Sequence, residues 1–491
     1  MDLFIGLDVG TTGVKGLLVD EKGKIMGNWN EPLELITPKS GWNEQDPKEW
    51  WKNVVVVLKR LNERALEIGG KVKAISTSGQ MHSLVPLDGK GNVLRNAILW
   101  NDQRTHEECE IITRKFGEEY LIKNVGNPVL TGFTLPKILW LKRNEPEIFE
   151  NTKKILLPKD FINFMMTGKM VTEPSDASGT VAYGIDGEWK DEILEKLEIP
   201  LEIFPEVIPS NEVIGRLKRE VANETGLSED VLVVPGGADN ACSALGVGVT
   251  LSGRVMISLG TSGTVLAPTL GEEPDPKGRV HFFFHVLKGI KYHMGVMLSA
   301  THSLNWFKER FLQESYGEIN EMVSKSPAGS NGVIFLPYLN GERTPHRDPF
   351  ARGVFFGISS FNSKEDVIRA IFEGVAFGIK DSFDILKEDL KVKVEDVRIT
   401  GGGSKSDIWV KITADVLGHN LKRPQVNEGA AYGASMLAFS GFSKTPPERV
   451  ADEWVIIKDE VDYSEGSHEI YGKLVKKYRM IYENLKEIFR I

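Results

Sequence analysis

Residues 5–13 read IGLDVGTTG, an apolar strand pattern that ends in a turn of glycine and threonine. About half a chain later, residues 257–263 read ISLGTSG and repeat both features. Internal similarity of this kind indicates a repeated architecture. We therefore expect two related units, each beginning with the same strand and turn.

The segments that follow each copy also correspond. Residues 13–20 and 24–33 read as strands after the first copy, and residues 263–270, 279–287 and 291–298 read as strands after the second. Turns that contain glycine separate them, which is typical of antiparallel hairpins. Each unit is thus predicted to open with an antiparallel meander whose first hairpin carries the glycine–threonine turn.

Later in each unit, strand patterns alternate with helical ones. Residues 71–77 and 230–237 are apolar strands, and a helix of small residues follows the second from Asp239. Residues 396–403 form another strand pattern that leads into a helix from Ser406. This alternation is typical of an α/β fold with mixed sheets flanked by helices.

The chain is too long for one ordinary core. Its 491 residues exceed the size at which a single hydrophobic core usually divides. The second hairpin begins soon after the helix from Asp239, which places a boundary near residues 246–251. We predict two domains, residues 1–246 and residues 247–491.

Composition excludes several classes of protein. Hydrophobic residues make up 41% and charged residues 26% of the chain, and no apolar run is long enough to cross a membrane. The first residues enter a strand pattern without an export signal, so we expect a cytoplasmic protein. The net charge of −9 argues against nucleic acid as a partner, and Cys109 and Cys242 fit neither a disulfide framework nor a zinc site.

The repeated turn suits the binding of phosphate. Gly10 and Gly13 allow close approach of the backbone to a ligand, and Thr11 and Thr12 add hydroxyl groups to the backbone N–H donors. The turn is not a Walker loop, because it leads into a strand instead of a helix. One copy alone could be an ordinary tight turn, but two matching copies favour phosphate binding.

Two aspartates follow strands and have alternative roles. Asp8 precedes the first turn, where a carboxylate could hold Mg²⁺ near a nucleotide or simply stabilise the turn. Asp239 lies behind Gly236 and Gly237 at a helix start. It could accept a proton from a sugar hydroxyl as general base, or cap the helix.

Other polar segments give weaker signals. The glycine-rich turn after Thr400 could meet a nucleotide at a helix N-terminus. Gln80 and His82 follow a strand, where ligands gather in α/β sheets. Two more segments are rich in polar and aromatic residues, ILWNDQRT from Ile98 and LPYLNGERTPH from Leu336. The spacing of these residues does not assign a role to any of them.

Several long motifs together resemble the FGGY family of carbohydrate kinases, and within it the bacterial xylulose kinases. They occur in the family's order over nearly the whole chain. The segments are DVGTTGVK, WNEQDPKEWW, GQMH, ILWNDQR, LLPKDF, SDASGT, PGGADNA, SLGTSG, LPYLNGERTPH, GVFFG and ITGGG.

The resemblance implies two actin-like, ribonuclease-H-like domains with the active site in the cleft between them. It makes Asp239 the expected catalytic base. Together with the position of Asp8 before the first turn, this leads us to expect that Asp8 also takes part in catalysis and that both carboxylates bind Mg²⁺. The sugar is expected to contact Met81, His82, Asp239 and Asn240. Phosphate contacts are implied for Thr11, Thr12, Gly260 and Thr261, and nucleotide contacts for Thr301, Asn305, Gly402, Gly403 and Ser406.

The implied reaction is ATP-dependent phosphorylation of D-xylulose to D-xylulose 5-phosphate. The alternatives are a kinase for ribulose, gluconate or glycerol, and an actin-like or chaperone-like ATPase. The sequence departs slightly from the family at Ala238 and Ser83, which removes no functional group. The expected partners are the sugar and ATP, with no nucleic acid and no membrane, and a homodimer is the assembly considered.

Overall fold

The computed structural model of the chain describes residues 1–271 and 273–490. In the first half the strands are β1 (Asp2–Val9), β2 (Gly13–Asp20), β3 (Ile25–Pro32), β4 (Glu44–Gln45), β5 (Lys71–Gly79), β6 (Val85–Leu87), β7 (Ala97–Ile98), β8 (Lys154–Leu156), β9 (Val171–Thr172), β10 (Glu206–Val207), β11 (Gly215–Arg216) and β12 (Leu232–Ala238). The helices are α1 (Pro47–Glu67), α2 (His106–Phe116), α3 (Glu118–Val125), α4 (Thr134–Asn144), α5 (Pro146–Asn151), α6 (Pro158–Thr167), α7 (Pro174–Ala177), α8 (Asp191–Leu197), α9 (Arg219–Thr225) and α10 (Asp239–Gly246).

The second half has a similar mixture of elements. Its strands are β13 (Gly253–Leu259), β14 (Gly263–Thr269), β15 (His281–Phe284), β16 (Lys291–Met297), β17 (Ile334–Leu336), β18 (Val354–Phe356), β19 (Val394–Thr400), β20 (Leu421–Pro424) and β21 (Ile457–Val461). Its helices are α11 (Thr301–Phe311), α12 (Tyr316–Lys325), α13 (Lys364–Asp384), α14 (Asp407–Leu417), α15 (Gly429–Ser443), α16 (Pro447–Trp454) and α17 (Glu465–Leu485).

The two main sheets share one topology. In the first, the order is β11-β12-β5-β1-β2-β3, where β1, β2 and β3 are antiparallel and β5 lies parallel to both β1 and β12. In the second, the order is β15-β16-β14-β13-β19-β20-β21, where β13, β14 and β16 are antiparallel and β19 lies parallel to both β13 and β20. Mixed sheets flanked by helices in two related units confirm the predicted fold class.

Helices cover the first sheet on both faces. On one side α1 packs against β2 and β3, and its buried face includes Trp50, Val54 and Leu58. On the other side α15 packs against β1, β5 and α10, although α15 comes from the second half of the chain. The halves are therefore joined by a shared layer of helices, and the division at residue 246 stays a prediction.

Glycine permits the closest contacts of this shared layer. A Cβ atom on Gly6 of β1 would stand 2.0 Å from the carbonyl oxygen of Ala431, and one on Gly433 of α15 would stand 1.8 Å from that of Cys242. Both distances are far below van der Waals contact, so a side chain at either position would separate the elements. Within residues 1–271 and 273–490, no helix combines the length and apolar character that crossing a bilayer requires.

Candidate active site

A cavity of about 320 Å³ opens between the two main sheets, at the ends of β1 and β13. Both halves of the chain contribute to its walls. It contains many of the residues that the sequence singles out, together with others that it does not. The first half supplies Asp8, Met81, His82, Trp100, Asp239 and Asn240, and the second half supplies Gly260, His281 and Arg343.

The two glycine–threonine turns are equivalent in structure, as the repeat predicts. The first joins β1 to β2 and the second joins β13 to β14, each as an antiparallel hairpin. Thr12 and Thr261 are exposed at the tips of these turns, so their hydroxyl groups are accessible. The hydroxyl of Thr11 instead accepts a hydrogen bond of 2.9 Å from Trp100 Nε1, which ties the first turn to the cavity wall.

Asp8 ends β1 beside the cavity. Its Oδ1 atom is buried and has no hydrogen-bond partner within the described part of the chain. Burial raises the pKa of Asp8 to about 6, against the opposing positive charge of Lys15. Lys15 lies directly opposite Asp8 on β2 and forms an ion pair with Glu428 from the loop before α15. An unpartnered buried carboxylate oxygen suits a cation, because it has lost its water without gaining a donor.

Asp239 is the first residue of α10, directly after β12. Its Oδ1 accepts hydrogen bonds from the backbone N–H of Asn240 at 2.7 Å and from Asn240 Nδ2 at 2.8 Å. Ala238 occupies the N-cap position of α10, and Asn240 is the only residue in the described part of the chain that donates to the Asp239 carboxylate. Burial, followed by the negative charge of Asp8, raises the pKa of Asp239 to about 7. The carboxylate is thus held by its neighbour, is not used as a helix cap, and is poised near neutral pH.

His82 is fixed in one tautomer. Its Nδ1 lies 2.6 Å from the carbonyl oxygen of Gly179, which can only accept, so Nδ1 carries the proton and Nε2 is an acceptor. Burial, followed by the positive charge of Lys137, lowers the pKa of His82 to about 3, so the ring is neutral. Gly179 must be glycine here, because a Cβ atom would lie 2.6 Å from His82 Nδ1.

The backbone at His82 is held by residues that sequence reasoning missed. His82 has a φ of 67°, in the left-handed region that residues other than glycine seldom adopt. Its carbonyl accepts hydrogen bonds from Thr134 Oγ1 at 3.0 Å and Lys137 Nζ at 2.8 Å. Lys137 Nζ also donates to the carbonyl of Gly132 at 2.6 Å. Lys137 is fully buried, and its position among the apolar residues of the first half of α4 is a sequence signal that could have indicated it.

The residues expected to contact the nucleotide lie around the second hairpin, outside the lining of this cavity. The N–H of Thr301, at the start of α11, donates to the carbonyl of Gly260 at 3.0 Å. A Cβ atom on Gly403 would lie 3.2 Å from Thr301 Cγ2, which places the glycine-rich turn beside α11. A Cβ atom placed on Gly402, by contrast, would have no neighbour within 4 Å among the described residues, so this glycine borders open space.

Two of the expected nucleotide residues make structural hydrogen bonds. Ser406 caps α14 by accepting from the N–H of Trp409 at 3.2 Å, and its hydroxyl donates to Asn320 Oδ1 at 2.8 Å. Asn305 Oδ1 accepts from the hydroxyl of Tyr316 at 3.0 Å. Contacts of either side chain with a nucleotide stay predictions.

The segment ILWNDQRT divides between the site and its support. Trp100 lines the cavity. Asp102 and Arg104, however, form a fully buried ion pair with each other, with Arg104 Nη2 at 2.8 Å from Asp102 Oδ2. The guanidinium of Arg104 also lies 3.9 Å from the ring centre of Trp42. These two charged residues therefore stabilise the loop and do not face a ligand.

Comparison with known proteins shows which family has this two-domain architecture. The N-terminal domain model of the FGGY family of carbohydrate kinases matches residues 3–246, and the C-terminal domain model of that family matches residues 255–442. The xylulose kinase of Bacillus subtilis (strain 168) is 41% identical over 495 aligned residues, which cover 99% of this chain and 98% of that relative.

Solved structures agree over the same length. A xyloylose kinase from Brucella ovis superposes with a TM-score of 0.92 at 33% identity, covering 99% of this chain and all of that one. A gluconate kinase from Lactobacillus acidophilus superposes with a TM-score of 0.93 at 28% identity, covering 99% of this chain and 98% of that one. With both family domains matched in order across two equivalent sheets, the chain belongs to the FGGY family of carbohydrate kinases and is a phosphotransferase.

Proposed function

We propose that the protein catalyses the ATP-dependent phosphorylation of D-xylulose to D-xylulose 5-phosphate. The observation that carries the proposal is the shared cavity, in which Asp239 faces Met81 and His82 beside the turn that contains Gly260. A carboxylate next to a polar pocket and a phosphate-binding turn is what the transfer of a phosphoryl group to a sugar hydroxyl requires. The full-length similarity to proteins named xylulose kinase supports this choice of sugar.

In the proposed mechanism Asp239 is the general base. Its Oδ1 is engaged by Asn240, whereas Oδ2 has no hydrogen-bond partner in the described ranges of the chain and is available to a substrate hydroxyl. As the terminal hydroxyl attacks the γ-phosphorus of ATP, its proton passes to this carboxylate. A pKa of about 7 suits the task, because a large fraction of the carboxyl groups is deprotonated at neutral pH and the carboxylate can still take the proton as the transition state forms.

Asp8 and Asp239 fit a divalent cation. Oδ1 of Asp8 has no hydrogen-bond partner among the described residues, and burial followed by repulsion from Asp8 raises the pKa of Asp239, so a cation between the two carboxylates would relieve both effects. No cluster of three or more acidic, histidine or cysteine ligands occurs in the described residues, so phosphate oxygens and water would complete the coordination, as Mg²⁺ prefers. When bound, Mg²⁺ would neutralise the charge of the transferred phosphoryl group.

The hairpins serve the nucleotide in this proposal. Thr11, Thr12, Gly260 and Thr261 approach the phosphates from both halves. Their backbone N–H groups and the accessible hydroxyls of Thr12 and Thr261 donate to phosphate oxygens. The nucleoside lies on the side of the second hairpin, and the residues that line it are Thr301, Asn305, Gly402, Gly403 and Ser406. Closure of the two halves then excludes water, which would otherwise accept the phosphoryl group.

Removing the ammonium group that supports His82 tests the sugar side of the site. We expect Lys137→Met to raise KM for the sugar about tenfold, because the carbonyl of His82 loses one of its two side-chain donors, the carbonyl of Gly132 loses the Lys137 donor, and the strained backbone at His82 is less firmly held. KM for ATP should change less than twofold. Steady-state kinetics with each substrate varied in turn measures both values.

Lys142→Met is the matched control, because Lys142 lies on the same helix and binds the carbonyl of Leu197 and the carboxylate of Glu198 away from the cavity. Equal changes in both KM values for Lys137→Met, or a similar effect of Lys142→Met, would contradict a role specific to the sugar.

A substrate panel tests the proposed function directly. The purified protein with MgATP is assayed for ADP release on D-xylulose, D-ribulose, D-gluconate and glycerol, and each phosphorylated product is identified by mass spectrometry. We expect kcat/KM for D-xylulose to exceed that for each other sugar by at least tenfold, and ADP release without sugar to be below 1% of the sugar-dependent rate, as rough limits.

Gluconate is the specific rival, because a gluconate kinase superposes on this chain as well as the xylulose kinases do. A preference for gluconate in the panel would replace the proposed substrate and keep the mechanism. Rapid ADP release that is independent of every sugar would instead favour the ATPase alternative and contradict the proposal.

A further inference from the structure

Arg343 is a cavity residue that the proposed mechanism does not use. It belongs to the segment LPYLNGERTPH, and its side chain lines the cavity opposite the first half of the chain. It also lines a neighbouring, more open cavity of about 770 Å³ between α2 and residues 340–349. Arg343 therefore lies between the cavity that contains Asp239 and the more open cavity beside it.

The backbone on both sides of Arg343 is fixed to the end of β16. The carboxylate of Glu342 accepts hydrogen bonds from the N–H of Leu298 at 3.0 Å and from that of Arg343 itself at 2.7 Å. On the other side, Thr344 exchanges two hydrogen bonds with Val296, one at 2.9 Å and one at 3.0 Å. Val296 also lines the cavity. The chain thus holds this arginine at the cavity wall through both of its neighbours.

The guanidinium lacks a partner of its own. Among residues 1–271 and 273–490 it donates no hydrogen bond and has no carboxylate oxygen within 4.0 Å, unlike Arg104, Arg279 and Arg347. Arginine carries N–H donors in a rigid fork and stays charged. Donors that are held in a cavity without an internal acceptor are matched by the oxygen atoms of a ligand.

Arg343 lies at the histidine end of the cavity, away from the acidic end. Its charge contributes to the lowered pKa values of His82 and His281, whereas the positive charge that acts on Asp8 is that of Lys15. The position of the side chain agrees with this. A Cβ atom placed on Gly132 would lie 3.7 Å from Arg343 Nη2, and the carbonyl of Gly132 binds the same lysine, Lys137, that supports His82. Asp239 and Arg343 thus lie toward opposite ends of the cavity. A sugar whose reacting hydroxyl contacts Asp239 therefore has its other end directed toward Arg343.

The two groups at this end differ in hydrogen-bond character. Arg343 offers only donors, whereas the neutral His82 offers an acceptor at Nε2 because its Nδ1–H is committed to Gly179. A carbonyl oxygen is an acceptor only, and the hydroxyl on the next carbon is a donor. An α-hydroxyketone thus complements the pair, whereas a polyol presents no acceptor of comparable strength to the guanidinium.

We propose that Arg343 binds the carbonyl end of the sugar, opposite the hydroxyl that is phosphorylated, and thereby selects ketoses over polyols. This inference rests on the proposed function, because it takes a ketose with a remote terminal hydroxyl as the substrate.

The test compares D-xylulose with D-arabitol, one of the two pentitols formed by reduction of its carbonyl carbon. We expect Arg343→Met to lower kcat/KM for D-xylulose about 30- to 100-fold, which is within the range for a lost hydrogen bond to a charged group. Binding of D-arabitol, measured by turnover or by its Ki as a competitive inhibitor, should change less than threefold, as should KM for ATP. Arg343→Lys should recover part of the loss, because it restores charge without the fork.

Arg347→Met is the control from the same segment, since Arg347 forms an ion pair with Glu118 outside the enclosed cavity and should leave the sugar preference unchanged. Equal losses for D-xylulose and D-arabitol, or a raised KM for ATP, would overturn the inference and leave the proposed function intact. A wild-type enzyme that does not phosphorylate D-xylulose would contradict the proposed function itself, and this inference with it.

Discussion

Asp239→Asn should remove nearly all sugar phosphorylation while leaving a folded protein that binds ATP. The substitution keeps the shape of the side chain and its bonds to Asn240, but it removes the oxygen that accepts the proton of the attacking hydroxyl. We expect kcat to fall about 10³-fold, within the range ascribed to general acid–base catalysis. Single-turnover and steady-state assays with saturating MgATP and D-xylulose measure the loss.

The same variant has an internal control for folding. The pKa of Asp239 is raised in the folded protein, so the folded state holds its proton more tightly than the unfolded chain does. The associated stability is present below the ordinary pKa of 3.8 and is lost as the pH rises through about 7. Asp239→Asn should therefore have a higher Tm than the wild type at pH 8, and the difference should shrink at pH 5.

Either of two results would contradict the assignment of Asp239 as base. One is near-normal turnover by a folded Asp239→Asn protein. The other is a loss of activity that coincides with a lower Tm at pH 8, since the defect would then be structural.

Gly433→Ala should be strongly destabilising although it adds one methyl group. The new Cβ atom would lie 1.8 Å from the carbonyl oxygen of Cys242 and 2.6 Å from its carbonyl carbon, and backbone atoms cannot rotate away. To accept it, α15 must move away from α10, the helix that begins with Asp239. We expect a decrease in Tm of more than 10 °C, or insoluble protein, since backbone overlap exceeds ordinary overpacking of about 1–3 kcal/mol.

Gly472→Ala is the matched control for this substitution. Gly472 lies within α17, and a Cβ atom there would meet nothing within 4 Å. Inside a helix, alanine is more favourable than glycine by about 1 kcal/mol at either position. The control substitution should therefore leave the free energy of unfolding unchanged or raise it slightly. Thermal unfolding of both variants separates the two effects. A Gly433→Ala protein as stable as the control would show that α10 and α15 can separate at little cost.

The repeat determined more of this protein than any single motif. The paired glycine–threonine turns predicted two meanders, and both sheets have the same central order. Strand bounds followed closely, as for β2 at Gly13–Asp20, because alternation and turn residues are local signals. The motifs around Asp8, Met81, His82 and Asp239 predicted residues that do meet in one cavity.

Tertiary structure alone decided how those residues are held. The sequence did not indicate that Lys137 and Thr134 support the strained His82. Nor did it indicate that the guanidinium of Arg343 reaches the cavity without a hydrogen-bond partner among the described residues. Nor did it predict that α15 of the second half would cover the first sheet. Periodicity and turn chemistry report on neighbours along the chain, whereas a buried hydrogen bond, an unpaired charge or a backbone contact at a glycine depends on elements that only folding brings together.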